Sequence, residues 1–294
     1  MTAQATAPRQ SVRAGAQSGD PYFRQPAVAG RFYPANGATL AGEVKRLLAG
    51  GTPPRLRRVR ALVAPHAGYA CSGEVAAAAY RALAASMPPA QPGTEAGPQP
   101  TVYLLGPAHW KAVHGVGLSG AAVFATPLGQ VPVAIDRLHQ LAALGGQYRV
   151  DDAAHAPEHC LEVHLPFLQT VLAAPRIAPL LLDDGAAPEQ LAGDLCTLLE
   201  DSPDDLVVVS SDLSHYHPYQ EAIILDHGFL KALATHDMAA VNASEACGLL
   251  PVLCLMHVAQ HFGWQPHLLA YANSGDTCGS RREVVGYGAI VYTE

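Results

Sequence analysis

Charge is the scarcest property of this 294-residue chain: only 15% of its residues are charged and 6% are aromatic, beside 49% hydrophobic residues. Such a balance excludes a disordered polymer, because apolar residues at this density collapse into a core. At this length roughly three quarters of the unfolded chain's surface can be buried. Basic residues are also in deficit, with 18 Lys and Arg against 25 Asp and Glu, a net charge of -7 and a pI near 6.0. A nucleic-acid polyanion is therefore excluded as the main partner. No apolar run approaches the roughly 18 residues that a membrane-spanning helix requires, so no membrane partner is expected. The six cysteines contain no CxxC pair, which leaves no zinc knuckle or thioredoxin-type motif. Residues 1–20 hold no apolar signal core. Scattered thiols without an export signal predict a reducing, cytoplasmic location. Histidine, by contrast, is plentiful, with 14 residues.

Residues 1–24, rich in Ala, Gln, Ser and Gly and free of periodicity, are expected to form a flexible tail, with one domain over 25–294. A second interruption at 87–100 carries Pro88, Pro89, Pro92, Pro98 and Pro100 and reads as a surface loop. Short continuous apolar runs at 61–64, 102–105, 177–182 and 206–209 predict strands buried on both faces. Helical patterns cover 74–86, 158–172, 188–200, 219–234 and 249–262, with a kink expected at Pro166, and closing strands are expected at 268–272 and 284–292. Alternation of this kind predicts a single α/β domain, with a central, largely parallel or mixed sheet flanked by helices.

Three of the predicted strands run into histidine-bearing loops: Pro65-His66-Ala67-Gly68-Tyr69, Gly106-Pro107-Ala108-His109 and Ser210-Ser211-Asp212-Leu213-Ser214-His215-Tyr216. Open α/β sheets bind ligands at the carboxyl ends of their strands, so these loops are expected to share one edge and one site. Several imidazoles in one pocket suggest a metal, with a spare histidine or Asp212 handling protons. Asp212 is a candidate to orient His215 or a metal-bound water, with capping of a following helix as the alternative.

The strings VAGRFYP (28–34), PHAGY (65–69), GPAH (106–109), TPLG (126–129), EHCLEVHLPFLQ (158–169), SSDLSHY (210–216), ACG (246–248) and VVGYGA (284–289) occur in this order. Together they resemble the Memo family, whose prokaryotic members are called AmmeMemoRadiSam system protein B. The resemblance implies a fold like that of the class III extradiol dioxygenases, which hold non-haem Fe(II) with two histidines and a carboxylate. Carried over by motif, it makes His66, His109 and Cys247 the metal ligands and His215 the acid/base residue, which Asp212 is a candidate to orient. Tyr69, Trp110 and Tyr216 become candidates for substrate contact, with packing as the alternative for each. Thiolate in place of carboxylate softens the site, so that Fe(II) is expected first and Cu or Zn also fit. Cys71 departs from the aromatic residue frequent before Ser-Gly in the family.

Two readings of function follow from the resemblance. One is a metal-dependent oxidoreductase acting on a small molecule, in a pathway with an Ammecr-type domain protein and a radical SAM protein. The other is a binding module that uses the same cleft for an aromatic or phosphorylated ligand. The basic candidates to line that cleft are Lys111, Arg281 and Arg282, a thin supply that favours the first. Two further strings are discounted. Gly115 to Gly120 spells GxGxxG without a strand before it and a helix after it. His155-Ala156-Pro157-Glu158-His159 spells the inverted zinc-peptidase string HxxEH, but Pro157 is expected to start a helix that leaves His155 outside.

Overall fold

The structure is a computed structural model that describes residues 21–87 and 100–294. The expected loop at 87–100 therefore falls almost wholly outside the described residues, as do residues 1–20 of the expected tail.

The chain opens with β1 (Phe23–Arg24) and α1 (Gly37–Ala49), the latter capped by the Asn36 side chain on the Thr39 amide. Next come β2 (Val59–Ala64), α2 (Tyr69–Ser86) and β3 (Thr101–Pro107). A run of small elements follows: β4 (Val116–Leu118), β5 (Val123–Thr126), β6 (Gly129–Pro132), α3 (Ile135–Ala143), β7 (Tyr148–Val150) and α4 (Asp152–His155). The middle of the chain supplies α5 (Leu165–Val171), β8 (Arg176–Leu182), α6 (Pro188–Asp201) and β9 (Leu206–Ser210). The last third is β10 (His215–His217), α7 (Tyr219–Ala234), α8 (Met238–Asn242), α9 (Leu249–Phe262), β11 (Gln265–Asn273), α10 (Ser274–Thr277) and β12 (Val284–Thr293).

Nine strands form a mixed sheet in the order β10-β12-β2-β9-β3-β8-β4-β7, with β11 on the flank of β12. Its centre, β2-β9-β3-β8, is parallel. Every residue of β2, β3 and β9 is buried, as continuous Val, Leu and Ala runs require of strands covered on both faces. The antiparallel members are β12 against β2 and β4 against β8. A separate three-stranded sheet, β1-β5-β6, lies outside this one. The architecture is the expected single α/β domain with a mixed sheet between helices.

Register brings the histidine loops together. Ala64 pairs with Ser210, and Leu105 pairs with Val209, so β2, β9 and β3 end level and pointing the same way. Close approach at this edge depends on glycine. A Cβ on Gly106 would stand 2.6 Å from Cys160 Sγ and 2.7 Å from Leu161 Cδ2.

Several expectations need correction. The tail does not extend to residue 24, because Phe23–Arg24 is a strand paired with β5 and Arg24 is fully buried. The predicted helix over 158–172 is only α5, preceded by a 3-10 turn at Glu162–His164. Pro166 sits in the first turn of α5 and starts the helix instead of kinking it. Before that turn, the amides of His159 and Cys160 donate to the Glu158 side chain, which removes them from a helical ladder. The cysteines are not all thiols either, since Cys71 and Cys278 form a disulfide. No helix among the described residues is long and apolar enough to cross a membrane.

Candidate metal centre

His66 follows β2, His109 follows β3, and Cys247 lies between α8 and α9. One ligand atom from each falls within 4.8 Å of the others. The two imidazole centroids are 5.1 Å apart. Cys247 Sγ lies 3.3 Å from His66 Nε2 and accepts the Asp212 amide hydrogen at 3.2 Å. Gly248 permits this approach: a Cβ there would stand 2.5 Å from both the Ser210 carbonyl oxygen and Ser211 Cβ.

Both rings are held so that Nε2 is the free lone pair. Ser210 Oγ donates its single hydrogen to the Cys160 carbonyl at 2.7 Å, so at 2.7 Å from His66 Nδ1 it can only accept. The hydrogen of His66 therefore sits on Nδ1. His109 Nδ1 faces Glu158 Oε1 at 3.0 Å, an acceptor when ionised, which assigns its hydrogen in the same way. Burial, reinforced by His109, His159 and His164, keeps the pKa of His66 well below its ordinary value, so its ring is neutral. Fixed tautomers and neutral imidazoles are what metal coordination requires.

Glu158 is 2% exposed and organises this edge. Besides the His109 ring, its carboxylate accepts the amides of His109 at 2.7 Å, His159 at 2.9 Å and Cys160 at 3.1 Å. Burial alone would raise its pKa, but the hydrogen bonds from His109 and His159 hold it far below the usual carboxylate range. His109, Glu158 and His159 also cluster closely enough for a cation. Glu158 Oε1 nonetheless already faces the His109 ring and accepts the His159 and Cys160 amides, and the carboxylate acts as a support for the rings. His159, with Nδ1 3.2 Å from Glu158 Oε1, stacks on His109 at a centroid distance of 5.0 Å. Glu158 and His159 stood in a recognised motif, yet their support of His109 was invisible without coordinates.

Glu158 is braced in turn by a buried ion pair. The Arg24 guanidinium bonds to Glu162, to the Glu158 carbonyl and, at 3.2 Å, to the His155 carbonyl. Glu162 accepts from the amides of Ala27 at 2.7 Å and Val28 at 3.0 Å, and from the Tyr33 hydroxyl. The VAGRFYP segment is thereby tied to the EHCLEVH segment.

The remaining predicted residues divide. Asp212 is buried and close to the ligands, but it neither caps a helix nor holds His215 by a hydrogen bond among the described residues. No helix follows it, and its carboxylate accepts the backbone amides of His66, at 2.8 Å, and Ala67 instead of a His215 hydrogen. Asp212 thus shapes the His66 loop, while burial raises its pKa to about 6. His215 is half-buried on β10, with no hydrogen bond to Asp212 among the described residues. Tyr69 is withdrawn from the substrate contacts: it is 5% exposed and its hydroxyl donates to the Val163 carbonyl at 2.7 Å. Tyr216, 72% exposed, has a left-handed φ of 62° at the irregularity between His215 and His217. It lies outside the lining of the cleft. Trp110, 64% exposed, does line a cavity of about 760 Å³ whose floor includes His109 and Cys247 and whose wall includes Leu249, Leu250 and Pro251.

The discounted strings have structural roles. Residues 116–118 of the glycine string are themselves strand β4. His155 ends α4 instead of preceding a helix, and its Nε2 bonds to the Gly117 carbonyl at 2.9 Å.

Comparison with known proteins agrees with the motif order. The family pattern described as Memo-like protein matches residues 24–291. A MEMO1 family protein of Aeropyrum pernix is 35% identical over 290 residues, covering 91% of this chain and 99% of its own. One from Methanosarcina acetivorans is 35% identical over 283 residues, covering 92% and 98%. The crystal structure of an uncharacterized Escherichia coli K12 protein covers 78% of this chain and 99% of its own, at 15% identity and a TM-score of 0.48. With its sequence pattern filled almost end to end and relatives matched over nearly their whole length, the chain belongs to the Memo family.

Proposed function

We propose that this protein is a metal-dependent oxidoreductase related to the class III extradiol dioxygenases, with His66, His109 and Cys247 holding one Fe(II) ion and with Cu or Zn as the alternative metals. The observation that carries the reading is the convergence of two tautomer-fixed imidazoles and one sulfur within 4.8 Å, two of these ligands, His109 and Cys247, lining a cavity of about 760 Å³. The donor set fits such an ion. Two nitrogens and a sulfur would leave further coordination positions for substrate, as redox-active non-haem sites require. Burial and the nearby Asp212 carboxylate push the Cys247 thiol up, so a cation would supply the charge that stabilises its thiolate. When bound, the metal supplies Lewis acidity and one-electron chemistry at those further positions.

The chain's own residues do the rest. Ser210 and Glu158 hold the two rings, and Asp212 holds the loop of His66. His215 takes a proton from a substrate hydroxyl and returns it later. Trp110 and the α9 residues Leu249, Leu250 and Pro251 shield a planar substrate from water. An Ammecr-type domain protein and a radical SAM protein are the proposed pathway partners, and the cytoplasm the proposed location.

The binding-module reading is disfavoured because two of the cations near the motifs, Lys111 and Arg281, are committed. Lys111 is 2.6 Å from Asp151, and Arg281 lies over Tyr219 and beside Asp276. Among the basic residues that line the cavity itself, Lys111 is thus already paired.

Metal analysis of anaerobically purified protein, followed by oxygen uptake with a panel of catechols, tests the proposal. Near-stoichiometric metal that falls to trace levels in His66→Ala and Cys247→Ser is expected. Trace metal in the parent protein, or unchanged metal in both variants, would overturn it.

A further inference from the structure

The Cys71–Cys278 disulfide closes 207 residues of sequence and lies outside the centre just described. Cys71 is in the first turn of α2, the helix that follows the His66 loop. Cys278 caps α10 and is exposed, as are all of residues 276–283. This strap leads into β12, which pairs with β10.

Its other attachments are to the corner between β10 and α7. The Arg281 guanidinium lies 4.2 Å from the centroid of the Tyr219 ring. The Tyr219 amide donates to the Arg281 carbonyl at 3.3 Å, and the Tyr219 hydroxyl donates to Asp276 Oδ1 at 2.7 Å. Behind it, the Val285 amide donates to Ser274 Oγ at 3.0 Å. Among the described residues, no hydrogen bond or ion pair joins α2 to 274–283. The disulfide is the one strong link between the helix behind His66 and the strap that abuts the His215 strand.

We propose that Cys71–Cys278 is a redox fastener: reduction frees the strap 274–283 from α2 and loosens its hold on the corner between β10, which carries His215, and α7. A dithiol reductant supplies the two electrons and two protons. The S–S bond breaks, both cysteines leave as thiols, and the reductant becomes its own disulfide. Cys278 offers the entry point because it faces solvent, whereas Cys160, Cys196 and Cys254 are buried and stay out of the exchange. The inference goes beyond the metal-centre reading and does not depend on it.

The strap carries its own reporter, since Arg281 and Arg282 are exposed trypsin sites. Full-length protein purified without reductant is peptide-mapped, then digested briefly with and without a phosphine reductant. A Cys71–Cys278 peptide and a rise of about fivefold or more in cleavage at Arg281 and Arg282 on reduction, with other sites unaffected, are expected. Cys278→Ser is expected to be cut at the fast rate whether or not reductant is present. Free thiols at both positions before reduction, an unchanged cleavage rate, or acceleration spread evenly over the whole chain would each overturn the proposal.

Discussion

Cys247 Sγ and His66 Nε2 approach to 3.3 Å although 181 residues separate them in sequence. The contact exists because β2 and β9 end level and because the segment after α8 passes over Ser210 and Ser211 with only a hydrogen atom at Gly248.

Gly248→Ala tests that passage directly. Its methyl group would have to displace backbone, since the Ser210 carbonyl oxygen stands 2.5 Å from the Cβ position. A loss of about 1–3 kcal/mol in denaturant unfolding is expected, as for other overpacked sites. Faster alkylation of Cys247 should accompany it. Wild-type stability together with wild-type thiol reactivity would show that the close approach is not needed.

Glu158→Ala removes the acceptor behind His109. Loss of such a supporting partner generally lowers metal affinity about 10- to 100-fold. Competition with a coloured chelator measures it, and the expected order of affinity is parent, Glu158→Ala, then His109→Ala. Equal affinity in parent and Glu158→Ala would show that the tautomer of His109 is set by something else.

Arg24→Met leaves the Glu162 carboxylate buried without its cation. Breaking one side of a buried pair costs about 3–5 kcal/mol. The double variant Arg24→Met with Glu162→Gln should recover part of that loss, because the uncompensated charge is gone. Urea midpoints of the parent, single and double variants give the comparison, and a neutral single variant would contradict the role assigned to the pair.

His155 provides a pH test away from the proposed metal centre. Burial lowers its pKa from 6.5 to about 4, a loss only partly offset by its bond to the Gly117 carbonyl. Below about pH 6.5 the unfolded chain takes up a proton that the folded protein refuses. Stability conferred by the neutral ring is thus complete above that pH and lost on acidification toward pH 4, by about 3 kcal/mol in all. Asp212, raised to about 6, acts in the opposite sense, so the comparison is between parent and His155→Gln. The variant is expected to show a smaller loss of stability between pH 6.5 and 4. Superimposable pH profiles would refute the assignment.

Local pattern revealed the framework. The buried strands at 61–64, 102–105, 177–182 and 206–209 all fall within β2, β3, β8 and β9, because unbroken apolar runs have few other uses. Helices with strong periodicity, α6, α7 and α9, lie where expected. The short elements β4 to β7 escaped detection, since strands of three or four residues carry no period. The start of the domain was misplaced because nothing local announces that Arg24 will be sealed against Glu162.

The amino-acid order by itself determined the α/β layering and the delivery of His66 and His109 to strand ends, since both follow from backbone hydrogen bonding and apolar burial along contiguous segments. Tertiary structure alone decided which nitrogen of each ring is free, that Asp212 holds a loop instead of a histidine, that Tyr69 is sealed away, and that Cys71 meets Cys278. Those outcomes depend on which distant groups become neighbours once the sheet has closed. Hydrogen bonds and sulfur contacts are decided at about 3 Å, a scale on which sequence spacing carries no information.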